Sequence, residues 1–489
     1  MLLPLLAALS AIPRFAQSDG EMRLREFVDA LNSQNQAKVE AFVRERCHPT
    51  NGPVSERASR LFQLAKVGTP LDVVKLLKDE PTVAIAELKS SGGDPWELRL
   101  NMESDPPHWV KSIYMGGPGS QTSPPAKQFK DWKDLTDLIT QIKADTKVPA
   151  IGIAYWQGDR PQLAVAGERE LGKPDKVTLQ DRWLIGSITK SMTSMMIARL
   201  VDKGLMRWDM TIAEALPNTP MREEYRSVTL LQLLRHRAGV PQDRYATPEF
   251  LKQAAGDSKD IVPVREHYTR FTLARDPIAK PDERMAYSNA GYSIAAHMAE
   301  TVAKKPYEAL MRDLVFKPLN MASVRMGVPG APGNPGSPGQ IMGHIIGDDG
   351  LEPHVIGEHE FNAIQEPAGM GVSMCLLDLL KFAQYHLDGL RGHVRLMSKQ
   401  NFDILHQPAE TGPGVYKYGC GWVIDESTAK EPFQGHTGSD GTFYAELAIW
   451  PNQNLAAVAI INCNTKQSPS PPMQAILAVY DRLAQGEKR

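Results

Sequence analysis

A run of glycine, proline and serine, GGPGSQTSPPAKQ from Gly116 to Gln128, constrains the fold of this chain more than any other feature of the sequence. Such a composition sustains neither a helix nor a strand ladder, so we expect a domain boundary within it. We therefore predict an accessory domain over residues 20–116, a linker over 117–137 and a larger domain over 138–489. The length of 489 residues is sufficient for these domains.

The first twelve residues, MLLPLLAALSAI, are apolar and have the length of a signal-peptide core. A membrane-spanning helix needs about 20 such residues, and no later segment of the sequence provides them. We expect residues 1–19 to be a signal peptide and the protein to be exported, periplasmic or extracellular, without a stable membrane span. No basic side chain precedes the stretch and no clear A-x-A cleavage site follows it, so an N-terminal helix or a misassigned start is the alternative.

The charge balance of the chain excludes nucleic acid as a partner. Lys and Arg number 55 and Asp and Glu number 57, which leaves a net charge of −2 and no basic excess. The four cysteines stand apart without a CxxC pair, so neither a disulfide framework nor a zinc ribbon is indicated. The sequence determines neither their redox state nor the oligomeric state.

Residues 20–116 have the pattern of a small α+β domain in which the helices precede the strands. Apolar residues recur at helical spacing in Met22–Leu31, Ala37–Cys47 and Glu56–Val67. Alternating runs then predict strands at Leu71–Leu77, Val83–Leu88, Trp96–Met102 and His108–Met115. This order of elements is similar to the cone-like fold of nuclear-transport-factor-like and ketosteroid-isomerase-like domains.

The segment Gly186-Ser187-Ile188-Thr189-Lys190 begins a predicted helix and suggests a catalytic pair. Apolar residues follow at helical spacing until Gly204, which is suited to the end of the helix. Positions three apart share a face of a helix, so the Lys190 amine projects beside the Ser187 hydroxyl. A desolvated amine in this place can take the proton of the serine, which makes the pair a nucleophile and its base.

Ser-x-x-Lys by itself is a poor signal, because Ser427-Thr428-Ala429-Lys430 has the same spacing. That second copy lies in a polar stretch before Pro432 and begins no apolar helix, so we interpret it as a solvated loop. For Ser187 the alternative is an ordinary helix-capping serine followed by an exposed lysine. Further motifs must decide between these interpretations.

A second motif, Tyr287-Ser288-Asn289, occurs once in the chain. It lies just before a predicted apolar helix at Gly291–Ala303. A nearby charged lysine would lower the pKa of the Tyr287 phenol and allow it to relay protons. Asn289 is placed to hydrogen-bond both the lysine and a substrate.

A third motif, His436-Thr437-Gly438, also occurs once and precedes an alternating strand at Thr442–Trp450. The edge of a strand can bind the backbone of a substrate. Gly438 would let that backbone come close, as recognition by β-augmentation requires.

Together the three motifs resemble those of the serine beta-lactamase and penicillin-recognising enzyme family, in the branch whose second motif is Tyr-x-Asn. This branch contains class C beta-lactamases, D-alanyl-D-alanine peptidases, D-aminopeptidases and related esterases. The resemblance covers residues 138–489 and extends to the segments Leu233–Pro241 and Pro367–Ser373. It implies an α/β (α+β) fold, in which an antiparallel sheet is flanked by helices, one of them near the C-terminus. The active site is expected between this part and a mainly helical subdomain.

The resemblance also implies the roles of individual residues. Ser187 is the nucleophile that forms an acyl-enzyme, and Lys190 and Tyr287 share the proton transfers as bases. The oxyanion hole is expected to be formed by the backbone N–H groups of Ser187 and Ser439. No metal or cofactor is needed. The implied substrate-binding residues are Asn289, His436, Thr437, Gly438 and Ser439.

His436 stands where many beta-lactamases have a lysine. The unperturbed pKa of histidine, about 6.5, leaves it mostly neutral at neutral pH, so a permanent anchor for a substrate carboxylate is missing. We therefore expect an esterase or a peptidase for D-residue substrates, with weak beta-lactamase activity at most. Activity on carboxylate-bearing substrates is expected to rise as the pH falls through the titration of His436.

The leading hypothesis is thus a serine hydrolase acting on small ester, amide or peptide substrates. A catalytically silent penicillin-binding or sensor protein of the same fold is the alternative, and the complete motifs argue against it. A third hypothesis places a ligand pocket or a docking surface in residues 20–116. His354, Glu358, His359 and Glu360 lack HExxH spacing, so we interpret them as a solvated acidic loop and predict no metal site.

Overall fold

The structure is a computed structural model and describes residues 18–47, 70–116 and 129–486. Gaps in these ranges fall at 81, 91–94, 104–108, 159, 242–259, 332, 348–349, 357–362, 410–416, 426–430, 466, 468 and 485, and isolated positions between 54 and 62 are also described. The chain forms two compact units, Met1–Thr122 and Ser123–Arg489. Nearly all of the predicted signal peptide, the second Ser-x-x-Lys copy and residues 358–360 of the predicted acidic loop lie outside the described residues.

In the smaller unit, two helices pack on a four-stranded antiparallel sheet. Helices α1 (Asp19–Asn32) and α2 (Gln36–Arg46) begin after Ser18 and Asn35, whose side chains accept hydrogen bonds from backbone N–H groups of the first turn. The strands pair in chain order as β1 (Leu71–Glu80), β2 (Val83–Ser90), β3 (Pro95–Met102) and β4 (Val110–Gly116). The predicted order of helices before strands is confirmed. The third predicted helix lies mostly outside the described residues.

The predicted linker over 117–137 is too long at its C-terminal end. Phe129 and Trp132 are buried in the core of the larger unit. Helix α3 (Leu135–Thr146) begins after Asp134, whose carboxylate accepts a hydrogen bond from the backbone N–H of Asp137. Apolar residues among the polar ones of this segment attach residues 129–137 to the larger unit.

The larger unit is built around a seven-stranded antiparallel sheet. Its strands are β5 (Ala150–Trp156), β6 (Pro161–Gly167), β11 (Lys417–Tyr418), β12 (Val423–Asp425), β13 (Phe433–Ser439), β14 (Tyr444–Trp450) and β15 (Leu455–Ile461). They are arranged in the order β11-β12-β13-β14-β15-β5-β6. Two short pairs lie outside this sheet, namely β7 (Trp183–Leu184) with β10 (Ser373–Met374) and β8 (Gly343–Gly347) with β9 (Gly350–His354).

Helices cover both faces of the seven-stranded sheet. Helices α3 and α13 (Pro471–Ala484) bury one face, and α11 (Leu376–Leu390) packs on the other. The hydrophobic core on the α11 side of the sheet extends to α4 (Thr189–Asp202) and to a group of further helices. These are α5 (Ile212–Ala215), α6 (Glu223–Arg226), α7 (Leu230–Leu234), α8 (Ile261–Leu273), α9 (Asn289–Ala303), α10 (Tyr307–Met311) and α12 (Lys399–His406). An antiparallel sheet flanked by helices, with one near the C-terminus and a helical part beside it, is the predicted fold.

In the described ranges, no helix has both the length and the apolar character needed to cross a membrane. Nor do these ranges contain a group of three His, Cys, Asp or Glu side chains placed to hold a metal ion. His354, one of the four residues of the predicted acidic loop, is the last residue of β9.

Candidate active site

Ser187 lies on a single 3-10 turn, Gly186–Ile188, that leads directly into α4. Gly186 has a φ of +52°, a conformation that glycine adopts without steric strain. A side chain would not fit there, because its Cβ would lie 2.2 Å from the backbone N of Ser439. The predicted helix start is therefore confirmed, and Ser187 is fixed between the sheet and a buried helix.

The side chain of Lys190 is fully buried beside Ser187. Its Nζ lies 2.9 Å from Ser187 Oγ and donates to the backbone oxygen of Ala368 at 2.7 Å. Burial disfavours the charged amine and lowers the pKa of Lys190 well below its ordinary value. A neutral amine keeps a lone pair, so it is able to accept the proton of the serine hydroxyl.

The phenol of Tyr287 reaches the same serine from the helical part. Its hydroxyl donates to Ser187 Oγ at 3.0 Å, and its ring centre lies 4.7 Å from the Nζ of Lys190. The structure thus brings together the three residues that the first two motifs predicted as catalytic. Ser187 Oγ has the amine and the phenol as its two neighbours.

Asn289 is the first residue of α9 and follows Ser288, whose Oγ accepts a hydrogen bond from the N–H of Gly291. The Asn289 amide donates to Gln365 Oε1 at 3.3 Å, while its Oδ1 is buried without a partner among the described residues. The expected hydrogen bond to Lys190 is not formed. The unpaired Oδ1 is an acceptor suited to the N–H of a substrate.

A short 3-10 segment, Ala363–Ala368, contacts side chains of α4 through its backbone oxygens. Pro367 O accepts a hydrogen bond from Thr193 of α4 at 2.8 Å, and Ala368 O accepts from Lys190. Gly369 follows with a φ of +126°, and a Cβ there would lie 2.3 Å from the backbone of Gly186. The family resemblance included Pro367–Ser373, but the sequence did not predict that this segment contacts Lys190.

The third motif forms the C-terminal half of β13, where one edge of the strand is open. The pairing of β12 with β13 ends at Gly435, so no described strand covers this edge at residues 436–439. A Cβ on Gly438 would lie 1.9 Å from Ile185 O and 3.0 Å from the backbone N of Ser187. Glycine is therefore required for this approach, which also brings the backbone N of Ser439 near Gly186.

The expected titration of His436 near neutral pH is wrong, whereas its expected lack of charge at neutral pH agrees with the structure. The imidazole is buried, with Nε2 2.9 Å from the hydroxyl of Tyr418 and Nδ1 2.5 Å from Thr437 O. Burial, together with the nearby Lys190, lowers the pKa of His436 to about 3. Because the ring is enclosed and neutral, it does not titrate near neutral pH and offers no charge to a substrate carboxylate.

The side chains of Thr437 and Ser439 are exposed beside this strand edge. Ser439 Oγ donates to Phe443 O at 2.7 Å and accepts from the N–H of Gly441 at 3.0 Å. Thr437 hydrogen-bonds the side chain of Tyr444 on the neighbouring strand. Both hydroxyl groups thus have partners within the protein, and the backbone of this strand is the part left open.

Two rings that the sequence did not assign pack around Tyr287. The centre of the His236 ring lies 4.2 Å from that of Tyr287 and 4.9 Å from that of Tyr418. His236 Nδ1 accepts a hydrogen bond from the N–H of Ser288 at 3.1 Å, which fixes the second motif. His236 lies within Leu233–Pro241, which the resemblance had marked, whereas Tyr418 carried no signal in the sequence.

Comparison with known proteins gives one family and several distant relatives. A family model described as Beta-lactamase matches residues 135–480. Penicillin-binding protein 4 of Amycolatopsis lactamdurans is 24% identical over 346 residues, which are 68% of this chain and 84% of that protein. Protein flp of Staphylococcus aureus (strain MW2) is 22% identical over 305 residues, 62% of this chain and 57% of that protein. The chain thus spans little more than half the length of the latter.

Solved structures show a likeness of fold. The octameric penicillin-binding protein homologue from Pyrococcus abyssi aligns with a TM-score of 0.58 and 24% identity, over 72% of this chain and 77% of that one. A D-stereospecific amidohydrolase from Streptomyces sp. aligns with a TM-score of 0.54 and 20% identity, over 71% of this chain and 98% of that one.

Proposed function

The chain belongs to the beta-lactamase family, and we propose that it is a serine hydrolase that forms an acyl-enzyme on Ser187. The observation that carries this proposal is the position of Ser187 Oγ, with Lys190 Nζ at 2.9 Å and the Tyr287 hydroxyl at 3.0 Å. One nucleophile with two proton-accepting or proton-donating neighbours is the arrangement that covalent catalysis needs.

In the proposed mechanism, the neutral amine of Lys190 takes the hydroxyl proton as Ser187 Oγ attacks the substrate carbonyl carbon. The negative charge that develops on the carbonyl oxygen is stabilised by the backbone N–H groups of Ser187 and Ser439. Tyr287 then passes a proton to the leaving group, and the acyl-enzyme remains. Lys190 is then protonated and Tyr287 is a phenolate. A water molecule gives a proton to the Tyr287 phenolate as it attacks the ester carbon, and Lys190 returns its proton to Ser187 Oγ as the acid is released.

We propose small esters, amides and peptides of D-residues as the substrates. The open edge of β13 at residues 436–439 is suited to a peptide-like backbone, and the Oδ1 of Asn289 to an N–H group. The neutral His436 supplies no charge for a carboxylate, which favours neutral substrates over beta-lactams. The name of one structural neighbour, a D-stereospecific amidohydrolase, supports amides of D-residues within this range.

Hydrolysis of a neutral chromogenic ester and a chromogenic cephalosporin tests the proposal. The unchanged protein is compared with Ser187→Ala and with Ser427→Ala, the serine of the second Ser-x-x-Lys copy. We expect turnover of the ester to disappear only in Ser187→Ala, and the cephalosporin to be the poorer substrate. Turnover that survives in Ser187→Ala would contradict the assignment of the nucleophile.

A further inference from the structure

A buried cluster of charged side chains lies beside the 3-10 segment Ala363–Ala368. Arg265 of α8 is fully buried, and its guanidinium pairs with Glu300 of α9 and, at 2.7 Å, with Glu308 of α10. Glu366, which belongs to the segment itself, is 3% exposed and hydrogen-bonds to Glu308. Three carboxyl groups are therefore gathered around one guanidinium.

Such a cluster holds a proton, because two buried carboxyl groups in contact do not both ionise. Burial, and then the nearby charge of Glu308, raise the pKa of Glu366 well above its ordinary value. The protonated Glu366 donates to Glu308, which stays paired with Arg265 together with Glu300. This arrangement accounts for one positive and two negative charges without a third carboxylate.

Among the residues that the structure describes, few other titratable groups face this cluster. The Tyr307 ring centre lies 5.4 Å from the Arg265 guanidinium, and His297 Nδ1 lies 3.5 Å from Glu300. On the side of the segment, Tyr268 accepts a hydrogen bond from Gln365 at 3.4 Å, and Lys190 donates to Ala368 O. The proton of Glu366 is thus the one whose loss would place a new negative charge against Glu308.

The neighbours of Glu366 along the segment hold the catalytic groups. Gln365 Oε1 accepts from Asn289, and Ala368 O accepts from the amine of Lys190. Gly369 packs against the backbone of Gly186, next to the nucleophile. Glu366 is the residue of the segment whose carboxyl group reaches the charged cluster. Two peptide units join Glu366 to Ala368, so the positions of Glu366 and of Ala368 O are linked.

We propose that Glu366, through the hydrogen bond between its carboxyl group and that of Glu308, is a positioning residue that holds Lys190 and Asn289 in place for acylation. It acts through the backbone of Ala363–Ala368 and touches neither Ser187 nor the substrate. Ionisation of Glu366 sets two carboxylates against each other, which displaces the segment and the acceptor of Lys190. This inference rests on the proposed function, because acylation is the step that is positioned.

The test compares Glu366→Gln, which keeps a hydrogen-bond donor, with Glu366→Leu, which keeps the approximate volume but not the donor. Glu223→Gln is the matched control, since that glutamate is 90% exposed. With a neutral chromogenic ester, Glu366→Leu is expected to lower kcat by about tenfold to a hundredfold with little change in KM. Glu366→Gln is expected to recover most of kcat, and to lose the decline at alkaline pH that the unchanged protein and Glu223→Gln share.

Equal kcat in Glu366→Leu and the unchanged protein would overturn the proposal, as would the same alkaline decline in Glu366→Gln. If Glu366→Leu does not fold, the pH profile of Glu366→Gln alone decides.

Hydrogen exchange gives a readout that needs no turnover. The N–H groups of Gly369 and Met370 both donate to Gln365 O.

We expect the protection of these two amides to fall at alkaline pH in the unchanged protein and to persist in Glu366→Gln. Equal loss of protection in both proteins would overturn the positioning role even where turnover is normal. A protein that hydrolyses neither an ester nor a D-residue amide or peptide, yet shows the expected exchange, would contradict the proposed function and leave the positioning of the segment supported.

Discussion

At the residue scale, the site contains three nitrogen bases whose burial disfavours a positive charge. The pKa values of Lys190, His236 and His436 are all lowered, in each case chiefly by burial. The two histidines also lie near Lys190, so a positive charge on one group would disfavour a charge on the others. The lowered pKa of Lys190 favours the uncharged amine, which is the form able to accept the proton of Ser187.

The first prediction concerns His436. With a pKa of about 3 it stays neutral across the range of an ordinary assay. We expect the ratio of kcat/KM for a carboxylate-bearing ester to that for the matching neutral ester to stay constant between about pH 6 and about pH 8. Steady-state kinetics on the two esters checks this. A ratio that rises toward acid pH, and becomes flat in His436→Asn, would restore the role that the sequence had suggested.

Much of the site was predictable at this scale because the predicted catalytic residues belong to short sequence motifs. Ser187, Lys190 and Tyr287 meet as the motifs predicted, since each motif fixes a residue at the beginning of an apolar helix. The lowered pKa of His436 was not predictable, because it depends on burial in the folded chain. Its hydrogen-bond partner Tyr418 lies in a stretch of sequence without a recognisable motif. Glu366 was equally hidden, since its partners come from α8, α9 and α10.

At the element scale, the strand β13 and the turn before α4 lie close together because each carries a glycine, which has no side chain, at the point of contact. Gly186 and Gly438 each place backbone atoms where a Cβ would overlap the other element. This contact brings the backbone nitrogen of Ser439 close to Gly186 and that of Ser187 close to Gly438. The alternating pattern of Thr442–Trp450 predicted β14, but the end of the β12 pairing at Gly435 depends on register, which the sequence leaves open.

We predict that Gly438→Ala lowers kcat on the neutral ester by about a hundredfold, because a Cβ 1.9 Å from Ile185 O pushes the strand away from the turn. The matched control is Gly291→Ala in α9, where the nearest atom would lie 3.4 Å away and alanine favours the helix. Kinetics and thermal unfolding of both variants are the measurements. Wild-type turnover in Gly438→Ala would show that the close approach is not needed.

A second element-scale prediction concerns Glu446 of β14, which is buried and accepts a hydrogen bond from Ser470 just before α13. Burial raises the pKa of Glu446 from 4.5 to about 7. The folded state therefore holds the proton more tightly than the unfolded one, and stability falls as the pH rises from 4.5 through 7. The loss is on the order of 3 kcal/mol when complete.

Glu446→Gln removes this ionisation, so we expect its free energy of unfolding to exceed that of the unchanged protein increasingly as the pH rises through this range. Urea unfolding at several pH values measures the difference, with Glu223→Gln as the exposed control. A difference that is independent of pH would show that Glu446 does not carry the raised pKa.

At the scale of the whole molecule, each of the two compact units has a hydrophobic core of its own. In the smaller unit, Phe27 is fully buried with its ring centre 5.1 Å from that of Phe42. All predicted catalytic residues belong to the larger unit. The resemblance of the smaller unit to nuclear-transport-factor-like domains stays a prediction, as do the signal peptide and export.

We predict that Phe27→Ala destabilises the smaller unit by about 3–5 kcal/mol and leaves kcat and KM on the neutral ester unchanged. Thermal unfolding, with hydrogen exchange as the probe of each unit, measures the stability of the two units. Kinetics on the neutral ester measure kcat and KM. A parallel loss of turnover would show that the smaller unit contributes to the catalytic one.

The division of the chain was predictable from the composition of residues 116–128, because glycine and proline interrupt both kinds of ladder. The end of the linker was not, since Phe129 and Trp132 stand in a polar stretch and are buried only by tertiary packing.

The proposed mechanism depends on one covalent bond, the ester between Ser187 Oγ and the acyl group, and mass spectrometry locates this bond most directly. The protein is quenched during turnover of a slow neutral ester and digested with trypsin, which releases Ser187 in the peptide WLIGSITK, residues 183–190. We expect one acyl group on Ser187 in this peptide, and none in the Ser187→Ala protein. Turnover without this adduct, or an acyl group on the peptide of residues 418–430 that contains Ser427, would contradict the account.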